Sequence, residues 1–133
     1  MMKLRYVLIG LCALVLSVAG CDGANVPAVN VKQVAAMQAQ GALLLDVRQP
    51  DEYTEVRAPN SMLLPLDLLQ SRVGEIAQYK DKMVAVICRS GRRSTRAVQQ
   101  LQAAGFSLAV NVEGGMNSWE AAGLLVERGA PAR

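Results

Sequence analysis

The sequence predicts an α/β domain of three layers, with a mostly parallel central sheet flanked by helices. Three observations lead there. Leu43-Leu44-Leu45 and Met83–Ile87 are uninterrupted apolar runs, the second rich in β-branched residues, and such runs suit parallel strands buried on both faces. Segments of helical period lie between and around them. Charged or reactive residues, Asp46-Val47-Arg48 and Cys88, follow directly on both runs, at the strand ends where open α/β sheets bind their ligands.

Residues 1–20 are set apart from the fold. Lys3 and Arg5 precede the apolar run Tyr6–Ala19, the layout of a secretory signal, and the run is shorter than the roughly 20 residues a spanning helix needs. Val18-Ala19-Gly20-Cys21 resembles a bacterial lipobox, in which small residues admit a peptidase and the cysteine carries the lipid. That resemblance implies a lipoprotein signal peptide cleaved before Cys21, a diacylglycerol on its thiol, an acyl chain such as palmitate on its amine, and a firm membrane tether. A plain signal peptide with an incidental Cys21, or a retained anchor, are the alternatives. Export with a lipid on Cys21 would place the protein at the periplasmic or outer face of a bacterial membrane, and Asp22 resembles an inner-membrane retention signal if enterobacterial rules apply.

The mature chain then reads in order. Residues 21–29 are the lipidated cysteine and a polar tether broken by Pro27, and the domain is expected over 30–128, with a tail at 129–133. Val31, Val34, Ala35 and Met37 recur at helical spacing, with Asn30 placed to cap the start and Gly41 to end the helix in a left-handed turn. The strand through Leu45 follows. Pro50 with acidic neighbours opens a short helix, and Ser61–Leu66 reads as a short strand closed by Pro65. Asp67 is placed to cap a helix to about Tyr79, with Leu68, Leu69, Val73, Ile76 and Ala77 inward. After the central strand and the loop Arg89–Arg93, a helix is expected from about Ser94 to a Gly105 cap. Leu108–Val112 forms a strand, and Gly114-Gly115 turns into a last helix near Asn117–Ala122.

Composition narrows the function. A chain of 133 residues, a little over half apolar, suits one packed domain. Removal of Lys3 and Arg5 takes the formal charge from +3 to +1, so nucleic acid is not an expected partner. Histidine is absent, which excludes Cys-His and Ser-His-Asp catalysis and any His-based metal site; neither metal nor cofactor is called for. Of three cysteines, Cys12 leaves with the signal and Cys21 is blocked by lipid, so Cys88 is the one free thiol of the mature form. A lone thiol in an exported chain is either a buried structural cysteine or a functional one.

Its neighbours favour function. Cys88-Arg89-Ser90-Gly91-Arg92-Arg93-Ser94 joins a buried strand to a helix N-terminus, where loop and first-turn amides lack helical partners and converge on negative charge. The thiolate is the nucleophile, and such a setting lowers a cysteine's pKa. Arg89, Arg92 and Arg93 are candidate cations for the site, although each also reads as a solvated surface charge.

Three ordered motifs resemble the rhodanese family over nearly the whole domain: Leu44–Tyr53, the loop Cys88–Ser94, and Val112-Glu113-Gly114-Gly115-Met116-Asn117-Ser118-Trp119. The resemblance implies a ping-pong sulfurtransferase in which Cys88 takes sulfane sulfur from thiosulfate or a related donor and passes it, as a persulfide, to cyanide, a low-molecular-weight thiol or a protein thiol. Loop residues Arg89, Ser90, Gly91, Arg92, Arg93 and Ser94 would bind the substrate, with Arg89 and Arg92 first choices for the sulfonate. Asp46 and Arg48 would support the site, Trp119 would anchor packing, and Glu113 would orient an arginine. One departure stands out: many relatives carry a Gly-His-Ile-Pro-Gly-Ala type segment where this chain has Val56-Arg57-Ala58-Pro59-Asn60-Ser61, without the histidine and first glycine.

Two other readings compete. A persulfide carrier or regulatory binding module for a partner protein fits the same loop. Cysteine phosphatases and arsenate reductases share the architecture, but their Cys-x5-Arg pattern meets Ser94 here, with the arginine one place early at Arg93. A dithiol oxidoreductase lacks its Cys-x-x-Cys.

Overall fold

The computed structural model describes residues 25–133. The signal segment, the lipidation site Cys21 and Asp22 lie outside the described residues. Five strands, β1 (Ala28–Val29), β2 (Leu43–Asp46), β3 (Ser61–Leu63), β4 (Val84–Ile87) and β5 (Ala109–Val112), form one sheet in the order β1-β5-β4-β2-β3, every pair parallel. The register sets Asp46 opposite Ile87 and Val86 opposite Asn111.

Strand alternation divides the core. Leu43, Leu45, Val84, Val86 and Cys88 face one side, packed with Leu69 of α3 (Leu66–Arg72) and Val98 and Leu101 of α4 (Arg92–Ala103). Leu44, Ala85 and Ile87 face the other, against Val31 and Val34 of α1 (Val31–Ala39) and Met116 and Trp119 of α5 (Gly115–Ala121). Neither strand has a solvent face, which is why both runs are apolar throughout; each fully buried Leu or Val contributes about 1.5–3 kcal/mol. Among the described residues no helix is long and apolar enough to cross a membrane.

The helices begin and end for local reasons. Asn30 Oδ1 accepts from the Gln33 amide at 3.0 Å while Gln33 Oε1 accepts from the Asn30 amide at 2.8 Å, a reciprocal cap for α1. Gly41, at φ +93°, turns the chain out of that helix. Pro50 opens the short helix α2 (Pro50–Glu55).

Several expectations are corrected. Ala28 and Val29, read as tether, form the edge strand β1 beside β5, and the Pro27 carbonyl accepts from the Asn111 amide, so the folded body starts before Asn30. It also ends later: Gly129, read as tail, donates its amide to Thr54 O and accepts from Arg57 Nη1 at 2.6 Å. Asp67 is not a cap. Pro65, which has no amide to satisfy, takes the cap position, so Asp67 falls inside the first turn of α3. That helix then tightens into a 3-10 segment, Val73–Tyr79, kinked at the fully buried Ile76; Leu68 and Ala77, expected inward, are exposed. Strand β3 stops at Leu63, two helices start earlier than expected, at Arg92 and Gly115, and in both a left-handed glycine, Gly91 or Gly114, makes the turn.

The departing segment has its own solution. Arg57 is buried, donates to Tyr53 O, lies 5.1 Å over the Tyr53 ring and pairs with Glu127 at 3.4 Å. Asn60 adopts φ +57°, a conformation open to asparagine because its short polar side chain tolerates the left-handed region.

Candidate active site

Cys88 follows β4 directly, 1% exposed, with its side chain on the α4 face of the sheet. The left-handed Gly91 bends the loop back over it, so that Gly91 N donates to Cys88 Sγ at 3.1 Å. Because α4 starts at Arg92, Ser94 occupies its third position, where the amide has no helical partner. Ser94, itself fully buried, sets its Oγ 3.2 Å from Sγ.

These groups decide the ionisation of the thiol. Burial is the largest single influence and pushes the pKa up, because it strips water from the charged form. The Ser94 hydroxyl and the amides of Ser94, Gly91 and Ser90 all favour the thiolate, and together they outweigh burial, holding Cys88 below the ordinary thiol value.

The cradle is held from two further directions. Amides of the first turn of α5 donate to the loop's backbone, Met116 N to Cys88 O at 2.8 Å and Asn117 N to Arg89 O at 3.0 Å. Gly115 allows this approach, since a Cβ there would lie 2.3 Å from Cys88 O. On the other flank, Glu52 of α2 accepts from both terminal nitrogens of Arg93, at 2.7 and 2.9 Å. The Arg93 hydrogen bond is the main cause that lowers the Glu52 carboxyl to about 2.

Asp46 and Arg48 form a wholly buried pair at the end of β2, with Arg48 Nη2 donating to Asp46 Oδ2 at 2.8 Å and to Val56 O at 2.7 Å. They join β2 to the segment after α2. Arg89 and Arg92 are exposed and enter no ion pair among the described residues. Glu113 is exposed and unpaired with any described arginine, and Trp119 is buried, its Nε1 donating to Leu125 O at 2.8 Å. No cluster of His, Cys, Asp or Glu among the described residues has the makings of a metal site.

Three contributors escaped the sequence reading. Glu52 and Gly115 lie inside recognised motifs without a predicted role at the loop. Asn111 accepts from Ser94 Oγ at 2.6 Å, and the signal was a lone polar residue within the buried run Ala109-Val110-Asn111-Val112.

A buried thiol facing loop and helix-start donors, at the carboxyl end of a strand in a parallel α/β sheet, defines a class of cysteine-loop domains. The chain belongs to a particular family within that class: residues 30–122 match the rhodanese-like domain. It is 36% identical over 85 residues to a sulfurtransferase of Allochromatium vinosum, covering 64% of this chain and 78% of that protein. A putative sulfurtransferase of Bacillus subtilis, YtwF, is 39% identical over 82 residues, covering 58% and 72%. Among solved structures, a thiosulfate sulfurtransferase from Pseudomonas aeruginosa superposes with a TM-score of 0.72 at 30% identity, over 81% of this chain but 21% of that one. A rhodanese-related protein from Thermoplasma volcanium gives 0.68 at 33% identity, over 76% and 97%. The shared fold is thus a rhodanese α/β domain with a five-stranded parallel sheet flanked by helices, and the family is one of sulfurtransferases.

Proposed function

We propose that the protein is a thiosulfate sulfurtransferase that works through a persulfide on Cys88. The observation that carries this reading is the cradle itself: Sγ is buried, yet four donors from Ser90, Gly91 and Ser94 hold its pKa below the ordinary thiol value and so favour the thiolate. The thiolate attacks the outer sulfur of thiosulfate, the bond between the two donor sulfurs breaks, and sulfite leaves with its electron pair. The negative charge of the resulting persulfide stays beside the same amides. An acceptor nucleophile then attacks the outer sulfur and restores the thiolate; cyanide, a small thiol and a protein thiol all meet that requirement.

Arg89 and Arg92 are the cations we assign to the donor's sulfonate, because Arg93 already engages Glu52 through both terminal nitrogens. The same engagement weighs against phosphatase or arsenate chemistry, which needs a loop arginine free to grip an oxyanion. We further propose, from the order Lys3, Arg5, apolar run, Val18-Ala19-Gly20-Cys21, that Cys21 carries a lipid anchoring the domain at the periplasmic or outer face of a membrane.

Intact mass measurement after incubation with thiosulfate tests the reaction. Wild type should gain one sulfur atom, lost again on adding cyanide, and Cys88→Ser should gain none. A wild type that stays unloaded refutes thiosulfate as donor. Loading followed by release only to a co-purifying protein would favour the carrier reading. For the anchor, a Cys21→Ala chain that still fractionates with membranes at its mature size overturns lipidation.

A further inference from the structure

Ser94 carries one hydroxyl proton and has two partners for it. Its Oγ lies 3.2 Å from Cys88 Sγ and 2.6 Å from Asn111 Oδ1, and Ser94 is fully buried. If the proton points to Asn111, it cannot also stabilise a thiolate on Cys88. A carboxamide resolves the conflict, since half a turn about its last torsion exchanges an acceptor for a donor.

We propose that Asn111 is a positioning residue that sets the direction of the Ser94 proton, and so the ionisation of Cys88, by presenting either its oxygen or its nitrogen to Ser94. With Cys88 neutral, the S–H donates to Ser94 Oγ, whose O–H donates to Asn111 Oδ1. When the thiol proton leaves to solvent, the amide turns. Asn111 Nδ2 then donates to Ser94 Oγ, and the Ser94 O–H donates to the thiolate. Each arrangement gives the Cys88–Ser94 and Ser94–Asn111 links one donor and one acceptor apiece, and no covalent bond is made.

The fold supplies the placement. Asn111 pairs in register with Val86, two residues before Cys88, and lies on the same face of the sheet as Ala109, the face covered by α4. The other end of its amide reaches the loop, with Nδ2 3.6 Å from where a Cβ on Gly91 would stand. Ala109, Val110 and Val112, its neighbours on β5, are buried and apolar, so a carboxamide there has no packing rationale of its own. Of the charged groups around the loop, Arg93 of α4 senses the Cys88 charge and is engaged by Glu52 of α2; Asp46 and Arg48 of β2's end neutralise each other; Arg89, Arg92 and Glu113 are exposed.

The inference rests on Cys88 being the working nucleophile but not on any sulfur donor, because its test is the pH dependence of Cys88 alkylation by iodoacetamide. Asn111→Asp preserves the shape and leaves only an acceptor that holds the Ser94 proton. Its alkylation midpoint should move to higher pH, and its rate at neutral pH should fall roughly tenfold. Asn111→Ala removes both the acceptor that competes for that proton and the donor that backs Ser94 Oγ, so its midpoint should move much less than that of Asn111→Asp. A residue that merely props the loop would move both variants by similar amounts, and that result overturns the proposal.

Ser94→Ala separates the relay from simple charge. In that background Asn111→Asp should lose most of its effect; an undiminished shift means direct repulsion and also overturns it. Circular dichroism and melting curves establish that each variant is folded, and if Asn111→Asp does not fold, the Ser94→Ala and Asn111→Ala pair decides. Non-additive shifts support the relay, and additive ones refute it. Sulfur loading measured separately shows whether the sulfurtransferase reading stands regardless of this result.

Discussion

Gly115 packs against the carbonyl of Cys88 so closely that a single added carbon would stand 2.3 Å from that oxygen. The contact lets the first turn of α5 donate to the loop, and it explains why a glycine stands at position 115. Gly115 also has φ +54°, so a side chain there is both crowded and strained.

Gly115→Ala should therefore cost about 2–4 kcal/mol, the strain of a left-handed alanine plus displacement of the loop. Urea unfolding measures the cost. Alkylation of Cys88 should slow in the folded fraction, because the amides that hold the thiolate move with the loop.

Asp46 and Arg48 are both 0% exposed, so removing one partner strands a buried charge. Asp46→Ala should destabilise by about 3–5 kcal/mol. The double variant Asp46→Ala, Arg48→Met should be less destabilised than Asp46→Ala alone, since no charge is left without a partner. A double-mutant cycle by chemical denaturation gives the coupling.

Glu52 titrates at about 2 in the folded protein against 4.5 as its ordinary value. The folded state thus favours the ionised carboxylate. Its stabilisation is complete above roughly pH 5 and is lost as pH falls through 4.5 towards 2. Glu52→Gln should lower stability at neutral pH by on the order of 1–2 kcal/mol, discounted because the pair is partly solvated. The variant should also lose less stability on acidification than wild type, which urea titrations at several pH values will show.

Asn60 occupies a left-handed position, at φ +57°. Asn60→Ala should cost about 1 kcal/mol and Asn60→Gly almost nothing, with alkylation of Cys88 unchanged in both. Melting temperatures distinguish the two.

The legible and illegible parts of this chain divide by range. The β2 and β4 runs, the Asn30 cap and the helical period of α1 depend on neighbours in sequence, and they were readable because burial on both faces and caps leave a local imprint. The loop from Cys88 to Ser94 was readable for the same reason, although its helix starts two residues earlier than spacing implied. Gly91 enters the left-handed region and brings Arg92 and Arg93 into the first turn.

What closes around that loop was not local. Glu52 reaches Arg93 across 41 residues, and Ser94 reaches Asn111 across 17, contacts that no short window records. Sequence alone determined an α/β domain with a cysteine between a buried strand and a helix start, because hydrophobic period and turn residues act over a few positions. Tertiary structure alone decided which donors face the thiolate, which arginine is already engaged and which amide stands behind Ser94, because those depend on the order β1-β5-β4-β2-β3, which brings distant segments to one end of the sheet.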